Sequence, residues 1–285
     1  MPGERPNILI LCMDQWQTHM RVPPEVRFPT MERLESEGEA NSSKGGVFVL
    51  LAHRAAGECL CRSGIGERDV TWGWQQHLDL IATVPQGDYH FLARTMDAGA
   101  LGVMVGNVET PEQAQRIVAS VKYAPAGKRG VGLGTAHNDY VVPSPVEYLR
   151  EANDSGVVIC QIESPTGVAN AEAIAAVPGV DCLWIGHFDL TCSMGIPGEF
   201  QSEGFLNALR STVAAGRKHG KLLGIQPGNP AQAEQWIGLG FNVISWSTDI
   251  GVYCGALKSE IASLRQRCES GRDSRADSRN AVASR

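Results

Sequence analysis

Two carboxylates in the second half of the chain each follow an apolar run of strand-like composition. Glu163 comes directly after GVVICQI, and Asp189 lies four residues beyond the next run, DCLWI. Neighbouring parallel strands open on the same carboxyl-terminal edge of a sheet, so the two side chains are expected to converge there. Carboxylate oxygens are the hard ligands that Mg2+ and Mn2+ prefer, and two of them leave positions open for water and a chelating substrate. The same positions also suit a first-turn acid and a helix N-cap, so the spacing alone leaves purely structural roles open.

The elements that must position these carboxylates alternate in βα order from about residue 78 onward. Strands that are apolar on both faces and separated by helices are typical of a parallel sheet covered by helices. The βα units follow one another without a long interruption, and no GxGxxG follows any strand. This pattern predicts the α/β class and a (β/α)8 TIM barrel, with an atypical or incomplete first portion. The predicted strands are 78–83, 100–105, 156–162, 181–185, 221–225 and 241–246, and the predicted helices are 89–96, 110–123, 146–153, 169–177, 205–218, 230–240 and 252–266.

Composition and charge limit the classes of partner. Hydrophobic residues at 43% and charged residues at 20% are typical of a globular chain and exclude a fibrous or fully disordered one. The net charge of -6 provides no positive field for a polyanion, so we expect a small-molecule partner and no nucleic acid. No apolar run approaches the ~18 to 20 residues that cross a bilayer, and we expect a cytoplasmic protein with no membrane partner.

Three stretches of the chain carry a resemblance to a known family: VPQGDYHFLARTMDAGALGVMV, KYAPAGKRGVG and QIESPTGVANAEAIAAVPGVDCLWIGHFDLTCSMGIPG. They resemble the metal-dependent (class II) 2-oxo acid aldolases of the citrate lyase-like superfamily, of the type that acts on 2-dehydro-3-deoxyglucarate or 4-hydroxy-2-oxo diacids. The resemblance covers residues 78–266. Its most specific part is the QIE strand end followed by the GHFDL loop.

The resemblance implies a metal site and a substrate site at these strand ends. Glu163 and Asp189 would be the ligands of Mg2+ or Mn2+, and Gln161, Gly186 and Phe188 would lie near the bound 2-oxo acid. In such a site the cation acts as a Lewis acid toward the keto and carboxylate oxygens of pyruvate, and no lysine Schiff base is required.

Three further residues have a role implied by the resemblance and an equally available structural role. Asp97 resembles the family acid that orients a catalytic histidine, but it also suits the polar end of a helix. His187 could assist proton transfer beside Asp189, but a structural histidine fits that position as well. Arg129 falls in a glycine-rich loop and would bind substrate or remain a solvated loop residue.

Two parts of the family pattern are missing. The position of an oxyanion-stabilising arginine is occupied by Thr83, and no motif between residues 40 and 80 supplies the family's general base. His53 and His77 are the nearby substitutes. Because losing one oxyanion donor typically lowers turnover ~10²- to 10³-fold, we expect reduced activity.

The amino-terminal part of the chain follows a different pattern. Residues 1–40, with RPNILILCMDQ and RFPTMERLESEG, resemble the amino terminus of a sulfatase, in which the aspartate matching Asp14 helps to bind metal. The sulfatase nucleophile segment is absent. We therefore divide the chain into a sulfatase-like segment 1–40, a linker or degenerate first barrel units 41–77, an aldolase-type barrel 78–267 and a disordered tail 268–285.

The sequence thus supports two functions. The main hypothesis is a divalent-metal-dependent aldolase that cleaves a hydroxylated 2-oxo acid to pyruvate, or a related 2-oxo acid, and an aldehyde. The alternative is a non-catalytic barrel that retains metal and 2-oxo acid binding. The resemblance also implies a homo-oligomer, a hexamer in which the last helix packs against a neighbour through a stripe that includes Ala256, Ile261 and Leu264.

Overall fold

The computed structural model describes residues 7–11, 48–52, 79–84, 87–138 and 140–283. Its strands pair in parallel in chain order, and the first also pairs with the last, so the strand order closes on itself. The predicted parallel α/β class is confirmed. The strands are Asn7–Leu11 (β1), Phe48–Ala52 (β2), Asp79–Val84 (β3), Gly102–Val105 (β4), Val157–Ile162 (β5), Cys182–Ile185 (β6), Leu222–Ile225 (β7) and Val243–Ser245 (β8).

Helices connect the strands from β3 onward. They are Tyr89–Asp97 (α1), Pro111–Val121 (α2), Pro145–Ser155 (α3), Pro165–Ala169 (α4), Ala171–Ala175 (α5), His187–Ser193 (α6), Glu203–Lys218 (α7), Pro230–Leu239 (α8) and Asp249–Ala283 (α9). The start of α2 shows how the sequence defines these boundaries. The Thr110 side chain accepts from Gln113 N, and the Gln113 side chain accepts from Thr110 N, which forms a capping box in front of a proline at the first turn.

The strands separate two apolar layers. Alternate residues of β3 to β8 face the barrel interior, where a cluster includes Ile81, Met104, Ile159, Cys182 and Trp184. The intervening residues pack against the helices in a larger cluster. The interior is filled at Gly224, because a Cβ there would lie 2.6 Å from Cζ3 of Trp184. Ligands must therefore approach from the ends of the strands, and not through the barrel.

Two predicted boundaries differ from the structure near the candidate site. The predicted helix 169–177 corresponds to α5, and a separate short helix, α4, precedes it, with Ser164 as an N-cap that accepts from Gly167 N at 3.1 Å. The segment predicted as the loop GHFDL is instead the first turn of α6, with Gly186 as its N-cap. A seven-residue helix is too short to give a clear apolar period in sequence.

The first two strands lie in the part of the chain that precedes the regular βα alternation. β1 lies within the apolar stretch PNILILCMD, which the sequence alone favours as a strand, whereas β2 lies in the continuous apolar run VFVLLA, for which the sequence analysis predicts no strand. β2 lies inside the segment 41–77, which favours degenerate barrel units over a linker. Asp14, His53 and His77 lie outside the described residues, as do most of the segments 1–40 and 41–77.

The last helix is longer than predicted. The sequence predicts a disordered tail at 268–285, whereas α9 continues through Ala283. A helix extends readily from an existing nucleus even without an apolar face. The lack of an apolar period in the sequence therefore does not mark the end of α9. The described helices include none that is long and apolar enough to cross a membrane.

Candidate metal and substrate site

The end of β5 supplies the first two residues of the site. Ile159 belongs to the interior cluster, and side chains two residues apart share a face, so Gln161 and Glu163 also face inward at the carboxyl-terminal end. Both residues are half-buried. Register pairs Gln161 with Trp184 and Ile162 with Ile185, so the residue after β6, Gly186, stands beside Glu163.

Gly186 leaves the space that the two β5 side chains occupy. A Cβ at this position would lie 2.7 Å from Glu163 Cγ and 2.9 Å from Gln161 Nε2, and it would overlap Glu163 Oε1. Phe188 and Asp189 follow in the first turn of α6, and both are exposed. The structure therefore brings Gln161, Glu163 and Gly186 into contact, with Phe188 and Asp189 on the adjoining rim.

The loop after β4 contributes residues that the sequence analysis missed. Asn107 has a φ of 52°, and its backbone N–H donates to Glu163 Oε2 at 2.7 Å. The next amide, Val108 N, donates to Gln161 O at 2.9 Å. The dipeptide Gly106-Asn107 directly after a strand is a turn signal and could have drawn attention to this loop.

His187 packs inside an aromatic cluster. Its ring centroid lies 4.6 Å from that of Phe188, 5.1 Å from that of Phe200 and 5.5 Å from that of Trp236. Burial lowers the pKa of His187 to about 4, although the Asp189 carboxylate acts in the opposite direction. The imidazole is therefore neutral at pH 7 and well packed. This favours the structural role, and a catalytic role for His187 remains a prediction.

Asp97 and Arg129 pair with each other. Arg129 Nη2 lies 2.6 Å from Asp97 Oδ1, and the guanidinium carbon is 4.5 Å from the Tyr123 ring centroid. Arg129 is buried, so the expected solvated loop residue is wrong. Asp97 ends α1 just before β4 begins, which places the pair at the end of the barrel opposite Glu163 within this chain. Their roles in catalysis and substrate binding remain predictions.

Two buried hydroxyls line the interior above the apolar cluster. Thr83 shares a strand face with Ile81, and Ser245 ends β8. In the described part of the chain, neither Thr83 Oγ1 nor Ser245 Oγ has a hydrogen-bond partner. Because unpaired buried hydroxyls are uncommon, these atoms are suited to a polar group of a bound molecule or water. Sequence analysis identified Thr83 and missed Ser245.

The donor set suits a divalent cation. Glu163 and Asp189 supply carboxylate oxygens, and Gln161 supplies an amide next to Glu163. Gly186 keeps the position facing the Glu163 carboxylate free of a side chain, which leaves room for further ligands. No group of three or more His, Cys, Asp or Glu side chains suited to a metal occurs among the described residues. The residues therefore fit an open site that a chelating substrate and water complete, and not a closed structural one.

Comparisons with known proteins cover most of the chain. A profile of a family described as HpcH/HpaI aldolase/citrate lyase matches residues 73–256. The chain is 34% identical over 176 residues to the 5-keto-4-deoxy-D-glucarate aldolase of Klebsiella pneumoniae, which covers 62% of this chain and 68% of that protein. It is 37% identical over 180 residues to the hydroxypyruvate/pyruvate aldolase of Delftia acidovorans, which covers 63% of this chain and 66% of that protein.

Two solved structures share the fold. A crystal structure of an HpcH/HpaI aldolase from Desulfitobacterium hafniense has a TM-score of 0.73 at 20% identity, covering 92% of this chain and 93% of that one. The structure of an HpcH/HpaI aldolase/citrate lyase family protein from Burkholderia cenocepacia has a TM-score of 0.71 at 27% identity, covering 93% and 96%.

Proposed function

Because the chain belongs to the HpcH/HpaI aldolase/citrate lyase family, we propose that it is a divalent-metal-dependent aldolase that cleaves a hydroxylated 2-oxo acid to pyruvate, or a related 2-oxo acid, and an aldehyde. The predicted family and the carbon–carbon lyase class are confirmed. The observation that carries the proposal is the Glu163 carboxylate against Gly186 at the ends of two paired strands, with Asp189 in the next turn.

Each residue of the site has a distinct task in this proposal. Glu163 and Asp189 hold Mg2+ or Mn2+, which would act as a Lewis acid toward the 2-oxo and carboxylate oxygens of the substrate. Gln161 orients the 2-oxo acid beside Glu163. Gly186 leaves room for the acid at the rim, and the exposed ring of Phe188 covers its apolar side. The hydroxyls of Thr83 and Ser245 bind polar groups of the substrate deeper in the barrel.

The experiment that tests this function measures pyruvate release with a coupled assay. The substrates are 5-keto-4-deoxy-D-glucarate and a 4-hydroxy-2-oxo diacid, each tested with added Mn2+ and again after treatment with EDTA. We expect slow pyruvate release that chelation abolishes and Mn2+ restores. Release that is indifferent to chelation would contradict metal dependence.

Thr83 in the arginine position favours a second candidate, a non-catalytic barrel that retains metal and 2-oxo acid binding. Calorimetry with Mn2+ and oxalate distinguishes it from the aldolase. Binding of both without any pyruvate release would support this alternative, and absence of binding would exclude both functions.

We also propose that the chain forms a complete (β/α)8 barrel whose first units are degenerate, followed by an extended last helix. The closure of β1 on β8 and the coverage of the two family structures support this. The sulfatase-like character of 1–40 and the barrel boundary at 78–267 stay predictions. Limited proteolysis tests the complete barrel, because release of an amino-terminal segment from an otherwise intact barrel would contradict it.

A homo-oligomer, and specifically a hexamer, is a further part of the proposal. The described first half of α9 is exposed almost throughout, and its apolar residues recur at helical spacing: Tyr253, Leu257, Ile261 and Leu264. Such a stripe is suited to burial against a second copy. Size-exclusion chromatography with light scattering tests this, and a clean monomer would contradict it. Cytoplasmic localisation remains a prediction.

A further inference from the structure

Glu163 is held from two sides, because the Asn107 N–H donates to its carboxylate and Gly186 leaves the space that its side chain occupies. We propose that Asn107 and Gly186 are positioning residues that fix the Glu163 carboxylate in its metal-binding orientation, one by donating a backbone N–H and the other by leaving space. This inference rests on the proposed function, because it takes Glu163 to be a metal ligand.

The first side of this cradle is the Asn107 amide. At a φ of 52°, the residue adopts the left-handed conformation, which turns its N–H toward Glu163 Oε2 at 2.7 Å. Asparagine is among the few side chains that tolerate this conformation, whereas a β-branched residue is strongly disfavoured there. A hydrogen bond to an ionised carboxylate is strong and restricts its rotation. The amide therefore selects one orientation of Glu163.

Other contacts fasten the Asn107 loop to the β5 side of the barrel. Val108 N donates to Gln161 O, and Asn170 Nδ2 donates to Glu109 O at 2.7 Å. The Ser164 hydroxyl also donates to the Glu109 carboxylate. The loop is thus tied to residues on both sides of Glu163 in the chain. It can hold the Asn107 amide in place without help from a bound ligand.

The second side of the cradle is Gly186. Its φ of -83° and ψ of 84° do not require glycine, so backbone strain does not explain the residue. The space above its Cα does, because a Cβ would overlap Glu163 Oε1 and lie 2.7 Å from Cγ. Gly106 repeats the arrangement on the other side, where a Cβ would lie 3.2 Å from Glu163 Oε2. A methyl at Gly186 would displace the side chains of Glu163 and Gln161, because the atoms nearest to the added Cβ all belong to them.

The first experiment compares Gly186→Ala with Gly132→Ala, in the full-length protein. Gly132 is exposed, and a Cβ there would meet nothing within 4 Å, so its variant controls for the added methyl. Mn2+ binding is measured by calorimetry, and folding by thermal melting. We expect Gly186→Ala to melt near the wild type and to bind Mn2+ roughly 10- to 100-fold more weakly, as for residues that orient metal ligands. Gly132→Ala should bind like the wild type.

The second experiment tests the amide with Asn107→Gly and Asn107→Val. Glycine keeps both the N–H and the conformation, so its Mn2+ affinity should stay within about twofold of the wild type. Valine strains the left-handed conformation and displaces the N–H, so its affinity should fall by roughly tenfold. Tyr140→Val is the matched control, because Tyr140 has a φ of 59° and is exposed in the loop before α3. It should lose similar stability without losing affinity.

The outcomes separate this inference from the proposed function. Wild-type protein that fails to bind Mn2+ would remove the proposed metal site itself. Wild-type binding together with unchanged affinity in both Gly186→Ala and Asn107→Val would overturn the positioning role and leave the metal site standing. Affinity lost in Tyr140→Val as much as in Asn107→Val would show a general effect of destabilisation and would also overturn it.

Discussion

Both ends of the barrel carry carboxylates, but the groups that surround these carboxylates differ between the two ends. At the end where strands begin, Asp97 pairs with Arg129, whose guanidinium also lies over Tyr123. The buried ammonium of Lys122 donates to Asn153 O at 2.5 Å and to Gly156 O. At the end where strands finish, Glu163 receives a backbone N–H from Asn107, and Asp189 is exposed.

This difference indicates what each set of charges does. Charges that pair with each other or with backbone carbonyls connect elements and contribute to folding, and removing one partner leaves a buried charge such as that of Arg129 uncompensated. Carboxylates oriented by neutral donors at an open rim remain able to bind a cation. Residue type alone therefore does not distinguish the two ends, whereas the partners of each charge do.

The largest effect is expected at the rim. Glu163→Gln preserves size but removes the charge, so Mn2+ binding should become undetectable by calorimetry. Pyruvate release should fall by roughly 10³-fold or more, because Lewis-acid catalysis contributes several kcal/mol. The melting temperature should change little, since the residue is half-buried at the rim. Retained Mn2+ affinity in this variant would remove Glu163 from the metal site.

The next effect is expected at the opposite end. Asp97→Ala leaves the Arg129 charge buried, and urea unfolding should show a loss of about 2 to 3 kcal/mol. This is below the usual range for a buried pair because the Asp97 side chain is 43% exposed and solvent screens it. The Mn2+ affinity of the folded variant should equal that of the wild type. Unchanged stability with lost turnover would instead support the catalytic role that the family motif implies for Asp97.

The smallest effect is expected from adding a positive charge to the barrel interior at the end that carries Glu163. Thr83→Arg places a guanidinium on the interior face of β3, at the position where the family resemblance implies an oxyanion donor. It should raise turnover on the order of tenfold if the group reaches the reacting oxygen. Thr83→Met controls for side-chain size and should give no increase. Equal turnover in the two variants would show that the missing arginine does not limit this protein.

Much of the fold could be predicted from sequence because most elements carry a strong period. The unit Thr110 to Val121 contains its own cap, proline and apolar face, and the structure reproduces it. The strand ends at Glu163 and Gly186 were also predictable, because they directly follow continuous apolar runs. The resemblance to the family then suggested the chemistry that is proposed for these positions.

The remainder depends on contacts between distant segments. Asn107 meets Glu163 across 56 residues of chain, and Arg129 meets Asp97 across 32, so neither contact leaves a local pattern. The sequence therefore presented Arg129 as a loop residue, although tertiary structure buries it. Similarly, nothing near His187 reveals Phe200 and Trp236, which determine its surroundings.

The two strands that carry the site residues also contain a chemical reporter of folding. Cys160 in β5 faces the helices, Cys182 in β6 faces the interior, and both are buried. Burial raises the pKa of Cys160 to about 12 and also raises the pKa of Cys182, which suppresses the reactive thiolates. The thiols of Cys192, Cys254 and Cys268 are exposed to solvent. An alkylating reagent should modify them first. The slower rate at which the two strand thiols are modified would then measure how often the sheet opens.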